Sequence, residues 1–142
     1  MFRVEHLYKH VQESVKVEWN LGKRCNYDCS YCPAEIHDNF SKHTDIKILK
    51  NAVDDLIGSM PDLRTKVRIS FTGGEPCVHP KFLELLEYAR PKVSWLNVTT
   101  NGTRTPKYYA HLLNNFVDHL VFSLSLIHIS EPTRLLSIAY AV

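Results

Sequence analysis

Long apolar runs are missing from this 142-residue sequence, and no segment approaches the roughly 20 residues needed to span a bilayer. The start, MFRVEHLYKHVQES, mixes charge with polarity and lacks the apolar core of a signal peptide. Both absences point to a cytoplasmic protein. Charge of one sign is scarce as well: the formal net charge is +2, and basic clusters such as Lys23-Arg24 are too short for a nucleic-acid footprint. With 44% hydrophobic and 23% charged residues, the composition fits one folded domain and shows no bias toward disorder. Cysteine is also rare, at four, yet three of the four fall within CNYDCSYC, Cys25 to Cys32. In a reducing compartment such spacing favours metal or redox chemistry over structural disulfides.

The hydrophobic pattern alternates between two periods. Residues 14 to 21, SVKVEWNL, alternate Val15, Val17 and Trp19 with Ser14, Lys16 and Glu18, which predicts a half-buried strand leading directly into the cysteine loop. From Thr44 to Met60, Ile46, Leu49, Ala52, Val53, Leu56 and Ile57 recur at helical spacing. Thr44 or Asp45 can cap this helix, and Gly58 with Pro61 ends it. KVRISFT, Lys66 to Thr72, predicts a second strand running into Gly73-Gly74. A helix follows Pro80, then a strand in VSWLNVTTNG, a helix opened by Thr105-Pro106 and a strand from Asp118. Such alternation predicts an α/β fold with parallel strands, whose strand-to-helix loops gather binding groups on one face. Each unusual motif lies at the carboxyl end of a strand.

Three thiols in eight residues admit three readings. Zinc would need a fourth ligand, His37 or Cys77, although structural zinc sites usually come as two paired motifs. A redox pair, Cys29-Ser-Tyr-Cys32, leaves Cys25 unexplained. An iron-sulfur cluster held by Cys25, Cys29 and Cys32 would leave one iron open for a small molecule.

Cys25, Cys29, Tyr31 and Cys32 match the C-x3-C-x-aromatic-C signature, and TGGEP, Thr72 to Pro76, follows the second strand. With these two motifs the sequence resembles the radical S-adenosylmethionine superfamily. TTNG, Thr99 to Gly102, and the strand ending near Ser123 add weaker agreement. The resemblance covers roughly residues 14 to 123 and implies the first half of a six-stranded, partial TIM-like barrel. It further implies a 4Fe-4S cluster on Cys25, Cys29 and Cys32. The amino and carboxylate groups of S-adenosylmethionine would then chelate the open iron. One-electron cleavage would give a 5'-deoxyadenosyl radical that abstracts hydrogen from a substrate. By the same resemblance Tyr31 lies against the adenine, Gly73 and Gly74 bring backbone to the methionine ammonium, and Glu75 binds on the ligand side or orients the turn. Asn101 and Ser123 are further cofactor-contact candidates, and a flavodoxin- or ferredoxin-type reductant is the implied partner. Cys77 reads as a packed thiol, and no catalytic role falls to His37, His43 or His79.

Residues 1 to 13 form an N-terminal segment. From Leu124 the chain reads LSLIHISEPTRLLSIAYAV, whose first eleven residues resemble a one-frame translation of a sequencing-library adaptor. Residues 124 to 142 are therefore expected to be non-native. An exposed sheet edge would then invite misassociation and an unclosed barrel cannot fully shield a radical, both of which act against activity in this chain.

Overall fold

The computed structural model describes residues 14–29, 32–33, 35–60 and 66–123. The alternation of Val15, Val17 and Trp19 with polar neighbours gives strand β1 (Val15–Asn20), half-buried at the apolar positions and exposed between them. Strand β2 (Val67–Thr72) pairs with β1 in parallel, β3 (Trp95–Thr100) pairs with β2, and β4 (His119–Phe122) with β3. The order across the sheet is that of the sequence. Helices α1 (Ile46–Gly58), α2 (Phe82–Ala89) and α3 (Pro106–Asn115) alternate with the strands. The parallel α/β architecture expected from the two periods is therefore present.

Local chemistry sets the helix starts. Asp45, not Thr44, caps α1 by accepting from the Lys47 N–H at 2.8 Å. Thr105 caps α3 by accepting from the Tyr108 N–H, with Pro106 at the first helical position where a missing N–H costs nothing. Pro80 precedes α2 by a turn, so that helix begins later than its proline suggests and has no side-chain cap.

One face of the sheet carries the core. Rows Val17–Ile69–Leu96 and Trp19–Phe71–Val98 lie in register and meet Leu49 and Val53 of α1, Phe82, Leu85 and Leu86 of α2, and Leu112 of α3. Phe71, fully buried, meets Phe82 edge-on at 5.7 Å and Trp19 at 5.6 Å. Burying a side chain of this size contributes about 1.5–3 kcal/mol, which makes it a major anchor of sheet to helix.

The opposite face is polar. Glu18, Ser70, Asn97 and His119 share one row across all four strands. Asn97 Nδ2–H donates to Ser70 Oγ at 2.7 Å, and His119 Nδ1–H donates to Asn97 Oδ1 at 3.0 Å. Closed TIM barrels usually fill this face with branched apolar layers. Here it is wettable, and it leads upward to Thr72 and Thr99 at the strand ends.

Candidate functional site

The carboxyl ends of β1 and β2 are tied together by backbone, and that of β3 is joined to them by a side chain. After β1 the chain turns at Gly22, and the cysteine loop closes at its base because Cys25 N–H donates to Asp38 O at 2.7 Å and Asp38 N–H to Lys23 O at 2.9 Å. Asp38 is held by Ser41, whose hydroxyl and N–H both donate to its carboxylate. The Ser41 hydroxyl is the main reason its pKa lies below the usual range. The loop is thus fixed at one end before any metal binds.

The turn after β2 docks on this base. Gly74 N–H donates to Gly22 O at 2.8 Å and Glu75 N–H to Arg24 O at 2.9 Å. Gly73 adopts φ +135°, a conformation glycine tolerates. A Cβ on Gly74 would lie 2.3 Å from Arg24 O and 2.4 Å from Lys23 O. The glycines therefore admit the cysteine loop's own backbone.

Glu75 points inward and is only 3% exposed. Its Oε1 accepts from Cys77 N–H at 2.9 Å and Thr100 Oγ1–H at 2.8 Å, and its Oε2 accepts from Asn101 N–H at 2.6 Å. One carboxylate thereby joins the turns after β2 and β3. Thr100, buried and already donating, in turn accepts from the Tyr109 hydroxyl at 3.1 Å. Glu75→Gln places an amide where only acceptors fit and leaves a buried donor unmatched. Chemical denaturation should show a loss of about 1–2 kcal/mol.

The three thiols open onto one cavity of about 150 Å³. Gly73, Gly74, Glu75, Asn101 and Ser123 line it with them. Cys25 is buried, while Cys29 and Cys32 are partly exposed, and all are free thiols. The Cys32 pKa is raised, first by burial and then by the neighbouring Cys29 and Cys25. Tyr31 lies outside the described residues, as do residues 1–13 and the expected tail, 124–142.

Among the described residues, no three His, Cys, Asp or Glu side chains converge as a single ion requires. A cluster differs, because each thiolate binds a separate iron. His37, one candidate fourth ligand for zinc, lines the same cavity, but both ring nitrogens are engaged: Nδ1 meets Pro33 O at 3.0 Å and Nε2 meets Asp28 Oδ1 at 3.1 Å. Both partners are acceptors, so both ring nitrogens carry protons and neither keeps a lone pair for metal. The Asp28 hydrogen bond, then that of Pro33, holds the imidazolium above the usual histidine range.

Cys77, the other candidate, is 1% exposed in the core, and burial followed by the Glu75 charge pushes its thiol up to about 12. Burial likewise raises Tyr108 and Tyr109. The unfolded chain releases these protons at ordinary values while the folded chain keeps them. Their stability contribution is full below about pH 9 and is lost as pH rises toward the folded values. Urea midpoints measured from pH 8 to 11 should fall steadily, and Cys77→Ala should flatten the early part of the decline.

Several supporting groups escape sequence reasoning. Gly22 belongs to no motif, Thr100 enters only as the second residue of TTNG with no role of its own, and the Asp28–His37 clasp joins residues nine apart. The only advance signal is that Thr100 directly precedes the Asn-Gly turn.

A family model, the Radical SAM superfamily, matches residues 19–127, from within β1 to past the described end of β4. The chain is 35% identical over 88 residues to an Fe-coproporphyrin III synthase of Methanosarcina barkeri, spanning 61% of this chain and 21% of that protein. It is 34% identical over 91 residues to an S-adenosylmethionine-dependent nucleotide dehydratase of Selenomonas ruminantium, 62% of this chain and 30% of the other. The chain thus spans about a fifth to a third of the curated relatives it matches. Crystallised BtrN, in complex with AdoMet and 2-DOIA, superposes with TM-score 0.62 at 18% identity, covering 86% of this chain and 52% of BtrN. That likeness is one of fold. With four parallel strands and the thiol loop at the carboxyl end of β1, the chain belongs to the radical SAM superfamily.

Proposed function

We propose that Cys25, Cys29 and Cys32 hold a 4Fe-4S cluster and that S-adenosylmethionine binds beside it, against the turn of Gly73, Gly74 and Glu75. The observation that carries this reading is three free thiols facing one cavity, with the ring nitrogens of His37 on its wall bonded to Pro33 and Asp28 and Cys77 buried in the core. The chemistry supplied when both groups are bound is one-electron cleavage of the sulfonium, giving methionine and a 5'-deoxyadenosyl radical that takes hydrogen from a substrate.

The chain's own part is preorganisation. Gly73 and Gly74 present backbone at the cavity wall without side-chain bulk, where the ammonium of a bound amino acid would find acceptors. Glu75 holds that wall rigid, since its carboxylate is spent on Cys77, Thr100 and Asn101. Tyr31 is assigned to the adenine, and Ser123, on the cavity rim, to the ribose side. Thr72 and Thr99 lead down to the polar row of Ser70, Asn97 and His119, a surface suited to a polar substrate.

The names of the relatives support this reading, one being S-adenosylmethionine-dependent, and BtrN was crystallised with AdoMet. A flavodoxin- or ferredoxin-type protein would deliver the electron. All four cysteines are unpaired and no helix among the described residues is long and apolar enough to cross a membrane. Both features suit a reducing cytoplasm.

The test is anaerobic reconstitution with iron and sulfide, followed by reduction and assay of 5'-deoxyadenosine. We expect about four irons per chain and formation of the nucleoside. Tight stoichiometric zinc with no iron-sulfur absorption would overturn the proposal.

A further inference from the structure

Asn101 spends its whole side chain on the protein. Its Oδ1 accepts from Thr103 N–H at 3.2 Å and from Thr103 Oγ1–H at 2.9 Å. Its Nδ2 donates to Asn26 Oδ1 at 2.9 Å and to Cys25 Sγ at 3.8 Å. Four contacts fix the amide's direction, because a flipped amide would set its oxygen against the Asn26 oxygen and the thiolate. The backbone is fixed as well, through Asn101 N–H on the buried Glu75 carboxylate. Tyr27 N–H adds a second donor to the same sulfur at 3.4 Å. Among the described residues, the hydrogen bonds reaching sulfur in the cysteine loop converge on Cys25.

We infer that Asn101 is a positioning residue that acts through Cys25, its side-chain amide raising the reduction potential of the cluster. The inference rests on the cluster reading and gives Asn101 a task other than touching S-adenosylmethionine. A donor aimed at a thiolate stabilises the electron-rich, reduced state more than the oxidised one. The extra charge added on reduction is spread over the sulfurs, so an N–H already aimed at one of them lowers the cost. Glu75 sets the direction of that N–H through the backbone of Asn101. The glycine-glutamate turn thereby reaches the first cysteine by way of the turn after β3.

The experiment is a mediated redox titration of the reconstituted chain followed by EPR of the reduced cluster, with iron and sulfide counted first. Asn101→Leu removes the donor and keeps the volume. Its reduction equilibrium should shift about three- to tenfold toward the oxidised form, the span of one hydrogen bond. That is ~30–60 mV at 59 mV per tenfold for one electron. Asn101→Asp, which replaces the donor with negative charge, should shift it further in the same direction. Asn26→Ala removes the other acceptor but spares the N–H to Cys25 Sγ, and its potential should match the parent.

An unchanged potential in Asn101→Leu and Asn101→Asp at full iron content would overturn the inference. So would failure of both variants to hold iron while Asn26→Ala holds it, since Asn101 would then be a scaffold for the loop. Failure of the parent chain to assemble any cluster would instead sink the cluster reading itself.

Discussion

Replacing Cys25, Cys29 or Cys32 singly by alanine should cut 5'-deoxyadenosine formation more than about a hundredfold, beyond the 10- to 100-fold loss usual for groups that merely support a metal ligand. Iron and sulfide content should fall with it. Each thiolate is expected to hold its own iron, so no remaining thiol can substitute for a lost one. Cys77 sits in the core with its proton held up to about 12, and the Glu75 turn lies between it and the loop. Cys77→Ala should accordingly keep full iron content. His37→Ala should also keep iron, because both ring nitrogens already donate to Pro33 and Asp28. A tetrahedral zinc site would give the opposite pattern, with one of those two variants losing metal as completely as the cysteines. Iron, sulfide and zinc counts on the five variants decide between the two without reference to activity.

How much of this was legible in the sequence depends on whether the controlling contact is local. Among the described residues, period-two and helical spacing place the four strands and three α-helices, since each is set by neighbours a few residues away. Where a side chain decides, sequence says less: it leaves Thr44 and Asp45 both open as the cap of α1, and residues 76–78 form a short 3-10 turn nucleated by the Glu75 carboxylate on Cys77 N–H. The last strand, expected to end near Ser123, ends at Phe122, and Ser123 N–H still donates to Thr100 O at 2.8 Å. The thiols and the glycine turn stand out because their residue types are rare and closely spaced. Their relation does not, because about 50 residues separate Gly22 from Gly74, and nothing near either announces the Gly74 N–H to Gly22 O bond. The inward direction of Glu75 is equally hidden. Its three donors come from residues 77, 100 and 101, so the glutamate that lines the cavity also pins two turns together.

Gly74→Ala should be the most damaging single methyl addition at this site. The new Cβ would lie within 2.6 Å of three backbone atoms, Lys23 O, Arg24 O and Arg24 C, none of which can rotate away as a side chain could. The two turns must separate, which stretches Gly74 N–H to Gly22 O and Glu75 N–H to Arg24 O, now at 2.8 and 2.9 Å. Overpacking of this kind costs about 3 kcal/mol at the upper end of its range, readable as a lower urea midpoint. Cys25 directly follows Arg24, so the displacement passes into the thiol loop, and iron uptake should drop even in the folded fraction. Gly58→Ala provides the control, because a Cβ there meets nothing within 4 Å. Gly58 ends α1, where alanine is the better helix former, so that variant should be neutral or slightly stabilising. If Gly74→Ala matched Gly58→Ala in stability and iron content, the close approach of the two turns would not be what the glycine is there to permit.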